Sequence, residues 1–405
     1  MMVIREWKTS VYKLTELGHV SRGRSRHRPR DDKSLYGGEY PFVQTGDVKA
    51  ANFYLSSYTQ TYNETGLEQS KLWPKGTLCI TIAANIAETA ILAFDACFPD
   101  SIVGFTPFEG VSDVRYVKYY FDIYKKQMQS MSLGATQDNF SIDKMLRVKF
   151  IFPDYPTQTR IADILSAYDD AIENNNRRIT LLEKAARELY REWFVRFSFP
   201  GHESATFVNG LPEDWEIKRL KDYGQIETGK TPPTETKENY GDEIMFVKTP
   251  DMHNNIFVIA TGEYLTEKGH LAQPKKLLPA NSIMVSCIGT GGIVAINAEQ
   301  AHTNQQINSI IPDNKQCMEW LFFTCQNLKE TIELFGATGT TMTNLSKGKF
   351  ERLKVIQPPQ SLIEAFHEKT KCSFALIKTL MKQSRNLARQ RDLLLPRLMS
   401  GKLEV

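Results

Sequence analysis

The chain repeats itself. Gly18-His19-Val20-Ser21-Arg22-Gly23-Arg24-Ser25 is echoed by Gly224-Gln225-Ile226-Glu227-Thr228-Gly229-Lys230-Thr231, and Phe42-Val43-Gln44-Thr45-Gly46-Asp47-Val48 by Phe246-Val247-Lys248-Thr249-Pro250-Asp251-Met252. Pro74 with the apolar run at 78–82 returns as Pro279 with the run at 283–287. Gly134-Ala135-Thr136 returns as Gly336-Ala337-Thr338, and Arg147-Val148-Lys149 with Pro153 as Arg352-Leu353-Lys354 with Pro358. All five pairs keep their order at an offset of about 200 residues, so the chain must build one structural unit twice.

Between the copies, over 160–197, apolar residues fall at Ile161, Leu165, Tyr168, Ile172, Ile179, Leu182, Ala186, Leu189 and Trp193, with Asn175 in the one gap. The steps alternate four and three, which is the seam of a coiled coil. A lone Asn in such a seam costs stability and fixes register. The predicted helix is roughly 50 Å long, too long to hide inside one small domain. A second, less apolar seam follows the second copy at Ile363, Phe366, Thr370, Ser373, Ile377, Leu380, Ser384, Leu387 and Leu394, with Arg391 inside it. Pro396 is expected to end that helix.

The order is domain, helix, domain, helix. The second helix must run back along the first to bury its seam, so the pair is antiparallel. The expected fold is α+β: two similar α/β domains joined by two long antiparallel coiled-coil helices, pseudo-twofold symmetric. Expected boundaries are 1–156 for the first domain, 157–197 for the first helix and 198–214 for a linker rich in Pro, Gly, Ser, Glu and Asn. The second domain then covers 215–358, and the second helix with the tail covers 359–405.

A chain of 405 residues with 41% apolar and 24% charged content has the make-up of ordinary globular protein. Its net charge is only +3, so any nucleic-acid surface must be a local patch. The first ten residues hold no apolar core of signal-peptide length. The longest weakly polar run, 282–296, is too short and too glycine-rich to span a bilayer. Six scattered cysteines without a C-x-x-C pair read as reduced thiols of a cytoplasmic protein. Seven histidines without H-x-x-x-H spacing give no reason to expect zinc.

Two similar heads on a fixed rod suit a target with two sites at a set spacing, and DNA is such a target. The stretch from Ser21 to Arg30 carries Arg22, Arg24, Arg26, Arg28 and Arg30 around His27, kept out of helix by Gly23 and Pro29. Arginine suits phosphates and guanine edges. If the heads read different sequences, residues common to both cannot choose the base. Gly23 and Gly229, Thr45 and Thr249, and Asp47 and Asp251 are therefore expected to be scaffold or phosphate contacts. The glycines would permit tight turns and the aspartates would cap loops. Readers are expected where the copies differ: Arg26, His27 and Arg28 against Pro232, Pro233 and Thr234, and Gln44 against Lys248. Gln137 and Asn139 likewise stand against Gly339 and Thr341. The polar run His302-Thr303-Asn304-Gln305-Gln306 suits adenine edges, with Asn304 and Gln305 as its candidates. Lys230 and Thr231 complete the candidate DNA-binding set. Ile172, Asn175, Ile179, Leu182, Leu189, Trp193, Ile377, Leu380, Leu387 and Leu394 form the candidate helix seam and partner-binding set.

These motifs, in this order, resemble the specificity subunit of Type I restriction–modification enzymes, and so does the ending Leu393-Leu394-Leu395-Pro396-Arg397-Leu398-Met399-Ser400-Gly401-Lys402-Leu403. The resemblance covers nearly the whole chain. It implies two target recognition domains, each reading one half of a split, asymmetric site in double-stranded DNA. It implies helices that set the gap and dock two modification (methyltransferase) subunits, with two ATP-dependent restriction subunits joining for cleavage. No cofactor is expected on this chain; S-adenosylmethionine, ATP and Mg would act through the other subunits.

Catalytic motifs are not expected either. Pro232-Pro233 and Pro358-Pro359 lack the flanking residues of an amine methyltransferase motif. Gly289-Thr290-Gly291-Gly292 lacks dinucleotide-binding spacing, and there is no G-x-x-x-x-G-K-[ST]. Two other readings remain open at this point. One is a coiled-coil adaptor binding only proteins, against which the basic loops argue. The other is the specificity module of a Type IIG-like methyltransferase–nuclease, whose catalytic domain this length does not accommodate.

Overall fold

A computed structural model describes residues 8–83, 85–132, 142–337 and 343–405. The chain divides into two compact units, Met1–Ile172 with Asn386–Val405, and Glu173–Arg385.

The first unit is built on a five-stranded sheet in the order Gly18–Arg22, Ile102–Pro107, Leu78–Thr81, Thr89–Leu92, Tyr54–Leu55. All neighbours are antiparallel except the last pair, which is parallel. Strands Leu78–Thr81 and Thr89–Leu92 are buried along their whole length, so both sheet faces are covered. The period-2 alternation shows by what. Leu78, Ile80, Ile91, Val103 and Phe105 pack with Tyr116, Val117 and Phe121 of the helix Val114–Ser132 and with Ile161 and Leu165 of the long helix. Cys79, Ala90, Leu92 and Ile102 face the other way, onto Val43, Trp73 and Phe98. That second layer belongs to a four-stranded sheet, Gln60–Tyr62, Tyr36–Phe42, Ala96–Cys97, Leu72–Trp73. Each large side chain so buried contributes about 1.5–3 kcal/mol.

The second unit repeats the five-stranded sheet strand for strand, while its four-stranded sheet runs Tyr240–Gly241, Glu263–Leu265, Ile244–Val247, Ala301–Thr303. Its five-stranded sheet runs Gly224–Thr228, Ile307–Pro312, Ile283–Ser286, Val294–Asn297, Phe257–Val258, again antiparallel with one parallel pair at the end. Ile283 and Val285 face Trp320 and Phe323, whereas Met284 faces Met245, Val247 and Leu278. A separate antiparallel pair closes each unit: Thr9–Lys13 with Lys149–Pro153, and Glu216–Arg219 with Lys354–Gln357.

The first long helix spans Tyr155–Tyr190, starting five residues before the first residue of the heptad run at 160. Asp154 caps it, its Oδ1 accepting from Thr157 N at 3.0 Å, and these bonds hold the carboxyl below its usual range. Pro156 sits in the first turn, where no N–H is needed. The helix does not run unchanged to Phe197: Arg191–Val195 is a π-helical turn that puts neighbouring Trp193 and Phe194 both into the core. The second long helix spans Gln360–Met399 and does not stop at Pro396. Leu398 and Met399, beyond the proline, pack on the first unit's core, and that burial offsets the missing bond.

Within each unit the start of one helix meets the end of the other, so they are antiparallel. In the first unit Ile161 and Leu165 share a cluster with Leu394 and Leu398. In the second, Ala186, Tyr190 and Trp193 share one with Ile363, Phe366 and Ile377. The polar stretch from 198 is not featureless, because Phe207–Val208 and Leu211–Pro212 form a small hairpin around Asn209-Gly210, both with positive φ. Among the described residues the cysteines are free and all but Cys372 are buried. Also among the described residues, no helix is long and apolar enough to cross a membrane.

Candidate nucleic-acid interface

In the first unit the arginine run leaves the sheet edge as a pinned, extended loop. Gly23 N donates to Ile102 O (2.8 Å) and Arg24 N to Phe98 O (2.9 Å). Gln69 Oε1 accepts from both Arg26 N (2.6 Å) and His27 N (3.1 Å), and Ser70 Oγ donates to Arg24 O (2.8 Å). Gly23 and Ser25 are buried while Arg22, Arg24 and Arg26 between and beside them are exposed. Among the described residues no ion pair neutralises those three guanidiniums. Lys71 adds a fourth cation nearby, its Nζ 3.4 Å from Ser21 Oγ and 3.6 Å over the Trp73 ring. Desolvation and then the charge of Arg24 push its amine below the usual range.

The other two arginines are committed locally. Arg28 donates to Ser25 O (2.8 Å) and His27 O (2.7 Å). Arg30 Nη2 pairs with Asp100 at 2.7 and 3.0 Å. These two side chains are held by acceptors of the chain itself and shape the loop. His27 Nε2 lies 2.8 Å from Asp32, whose carboxyl is held low mainly by Ser34 and secondarily by His27.

The second unit holds its loop by the same backbone bonds with different side chains. Gly229 N donates to Ile307 O (3.1 Å) and Lys230 N to Thr303 O (2.9 Å). Lys230 is exposed, and Thr231 Oγ1 donates to Gln305 Oε1 at 2.6 Å. Pro232 O accepts from Tyr240 OH at 2.8 Å. The two conserved-in-place glycines are needed for close approach rather than for a tight turn. A Cβ on Gly23 would stand 2.2 Å from Phe98 O, and one on Gly229 2.2 Å from Asn304 O.

Gln44 and Thr45 open the short helix Thr45–Ala50, and Lys248 and Thr249 open its counterpart Thr249–Met252. Asp47 accepts from Gln44 N and Asp251 from Lys248 N, each at 2.8 Å, so both aspartates are helix caps. Thr249 and Asn304 are buried and meet on Gln306 Oε1 at 3.4 and 3.0 Å. Asn304 therefore shapes its turn, while Gln305 beside it is exposed. His302 is fully buried, which removes it from the polar run expected at the surface. Its Nε2 lies 3.0 Å from His270 Nδ1, and burial followed by His270's charge lowers its pKa to about 4. Gln137 and Asn139, Gly339 and Thr341 lie outside the described residues, as does the first Gly-Ala-Thr turn.

The seam residues are occupied by the chain's own packing. Trp193 and Ile377 are buried in the second unit's core, with Ile179, Leu182 and Leu189 packed against it. Leu380 is buried, Leu394 packs on the first unit's core, and Ile172 and Leu387 are half-buried. Asn175 is buried and donates to Gln383 Oε1 (3.2 Å) and Ser384 Oγ (3.3 Å). Ile164, Leu181 and Leu393, apolar residues of the long helices, are exposed.

Sequence reasoning missed Gln69, Asp100, Gln60 and Glu263, which position or flank these loops. None of the four carries a sequence motif; Gln60 and Glu263 are marked only by the strand pairing, which sets them opposite the repeated Phe42 and Phe246.

Comparison with known proteins bears on this arrangement. The family model described as Type I restriction modification DNA specificity domain matches residues 4–184 and again 212–381. The specificity subunit of the Type I restriction enzyme HindI from Haemophilus influenzae is 31% identical over 338 residues, covering 68% of this chain and 74% of that one. The specificity subunit of the Type I restriction enzyme MjaIX from Methanocaldococcus jannaschii is 26% identical over 415 residues, covering 99% and 94%. The crystal structure of the Type I restriction-modification system S subunit from M. genitalium shares the fold, with a TM-score of 0.63, 14% identity and coverage of 100% and 98%. The adaptor and Type IIG-like readings are not favoured by these matches. With the family's domain present in both of its repeats, the chain belongs to the Type I restriction modification DNA specificity family, as a non-catalytic specificity subunit with DNA recognition domains.

Proposed function

We propose that each unit reads one half of a bipartite, asymmetric site in double-stranded DNA, and that the two long helices fix the gap and dock two modification subunits. The carrying observation is that one backbone frame occurs twice with different side chains: three exposed, unpaired arginines at the first loop, and exposed Lys230 with half-buried Thr231 at the second. Phosphate contacts by arginine supply affinity and orientation, and side chains that differ between the units supply sequence choice. Two restriction subunits would join for cleavage, with S-adenosylmethionine, ATP and Mg bound by the other subunits and none by this chain. The assembly would work in the cytoplasm, away from any membrane.

The test is methylome sequencing of cells expressing this chain with its modification subunit. A bipartite motif is expected. Replacing residues 18–107 by those of a relative with another target should change one half of the motif and leave the other half and the gap intact. A motif that is continuous, or that changes in both halves, would overturn the reading.

A further inference from the structure

We infer that Gln60 in the first unit and Glu263 in the second are specificity-determining residues. Each would read a base pair jointly with one neighbour, Gln44 or Lys248 respectively. The inference rests on the DNA-reading function proposed above and locates where the two units differ in what they read.

The two pairs occupy one frame. Phe42 lies opposite Gln60 in one antiparallel strand pair, and Phe246 lies opposite Glu263 in the other. Gln44 and Lys248 follow those phenylalanines with nearly the same backbone, φ −107°, ψ 168° and φ −114°, ψ 163°. The aspartate that caps each short helix also reaches the strand carrying the second partner. Asp47 Oδ2 accepts from Thr59 Oγ1 at 3.5 Å, and Asp251 Oδ1 accepts from Gly262 N at 3.0 Å. Thr59 precedes Gln60, and Gly262 precedes Glu263. A residue common to both units thus ties together the two backbone segments from which the pair projects.

On that common frame the chemistry changes. Gln44 Nε2 donates to Gln60 Oε1 at 2.6 Å, whereas Lys248 Nζ donates to Glu263 Oε1 at 2.5 Å. Neither pair is needed to hold the cap, which the aspartate makes in both units. Both glutamines are exposed, and the Lys248 and Glu263 side chains are 36% and 47% exposed. Gln44 and Gln60 line a concavity of about 670 Å³ that Arg30 and Lys33 also border. Glu263 lines one of about 360 Å³ with Thr234 and Tyr240. A polar pair at the lip of a concavity, beside the loop that differs most in charge, can meet a base edge.

The free groups indicate which edge. Two bonded carboxamides still present donor and acceptor together, the complement of adenine N6 and N7. Lysine offers only donors, suited to guanine O6 and N7, and glutamate offers only acceptors, suited to cytosine N4. The first unit's half-site should therefore contain an A·T pair read at this position, and the second unit's half-site a G·C pair.

The experiment exchanges the pair. The full chain carrying Gln44→Lys with Gln60→Glu is expressed with its modification subunit and its methylome is compared with wild type. One A·T position of one half-site should become G·C, with the other half-site and the gap unchanged. An unchanged motif at full methylation overturns the inference. If the exchange abolishes methylation, the Gln44→Ala, Gln60→Ala chain decides by competition between duplexes. Discrimination should fall roughly 5- to 150-fold at one base pair of one half-site, and equal discrimination at every position overturns the inference. If wild type itself directs no bipartite methylation, the DNA-reading proposal fails first and this one falls with it. Thermal melting of each variant identifies a folding defect. In that case Glu263→Gln with Lys248→Gln makes the same test in the second unit, where a G·C position should become A·T.

Discussion

Asn175 and Ser384 meet inside the second unit, Nδ2 to Oγ at 3.3 Å, so the one polar break in the first helix's seam is answered by a polar residue of the second helix's seam. Gln383 accepts from the same amide at 3.2 Å. A buried amide with partners specifies register, because sliding one helix along the other would strand it. Asn175→Ala should lower stability by about 1 kcal/mol. Asn175→Leu with Ser384→Ala should be neutral or stabilising, since both polar partners leave together. Denaturant unfolding of both variants checks this. A larger loss in the double variant than in the single would show that the polar pair is itself a net source of stability.

The glycines of the two basic-loop frames differ in kind from Gly46. Gly23→Ala must push a Cβ against Phe98 O and Pro99 O, which are backbone atoms pinned by the bonds from Arg24 N and Ile102 N. A loss of about 2–3 kcal/mol is expected. Gly46→Ala meets nothing within 4 Å, lies in the helix Thr45–Ala50 and has no positive φ. It should stabilise by up to about 1 kcal/mol. Parallel melts of the two variants measure the contrast.

The doubled fold and the helices were legible because they rest on patterns that local sequence encodes: the repeat motifs, the heptad steps, the Gly and Pro punctuation. What was not legible depends on tertiary contacts. Pro396 reads as a helix stop, yet Leu398 beyond it has a core to enter. His302 and Asn304 read as exposed polar residues, yet a strand carries the first into the interior and a turn consumes the second. Arg28 and Arg30 cannot be told from Arg22 by type; only Asp100, far along the chain, separates Arg30 from the others. Gln60 and Glu263 carry no motif and become visible only through the strand register.

Removing charge from the first loop should act on all DNA sequences alike. Arg22→Ala, Arg24→Ala and Arg26→Ala together remove three exposed, unpaired guanidiniums. If each neutralises one phosphate, the slope of log K against log salt should become shallower by up to about 2.7. Arg30→Ala should change that slope little, because its charge is already paired with Asp100. Titration of the assembled complex with specific and random duplexes at several salt concentrations gives both slopes. An unchanged slope in the triple variant would remove this loop from the DNA backbone.

The buried histidine gives the second unit a distinct acid response. His302 Nε2 faces His270 Nδ1 at 3.0 Å and its Nδ1 faces Gln273 Nε2 at 3.5 Å. The NH₂ group of Gln273 can only donate, so Nδ1 of His302 is the acceptor and Nε2–H donates to His270. Protonating Nδ1 would turn that acceptor into a second donor against an NH₂ group, inside the core. The folded pKa of about 4 lies below the ordinary value of 6.5. A group with a depressed folded pKa contributes stability that is present above the unfolded pKa and is lost as pH falls towards the folded one. Between pH 7 and pH 4.5 this residue should therefore cost about 2–3 kcal/mol. His302→Gln keeps a donor and an acceptor but cannot titrate. The variant's stability should fall less over that interval than that of the wild type, by about the same amount, whatever its stability at neutral pH. Denaturant unfolding at pH 7.0, 5.5 and 4.5 measures the difference, and carboxylates titrating elsewhere cancel between the two proteins. Parallel pH profiles would show that His302 is charged in the folded protein or accommodates its proton without strain.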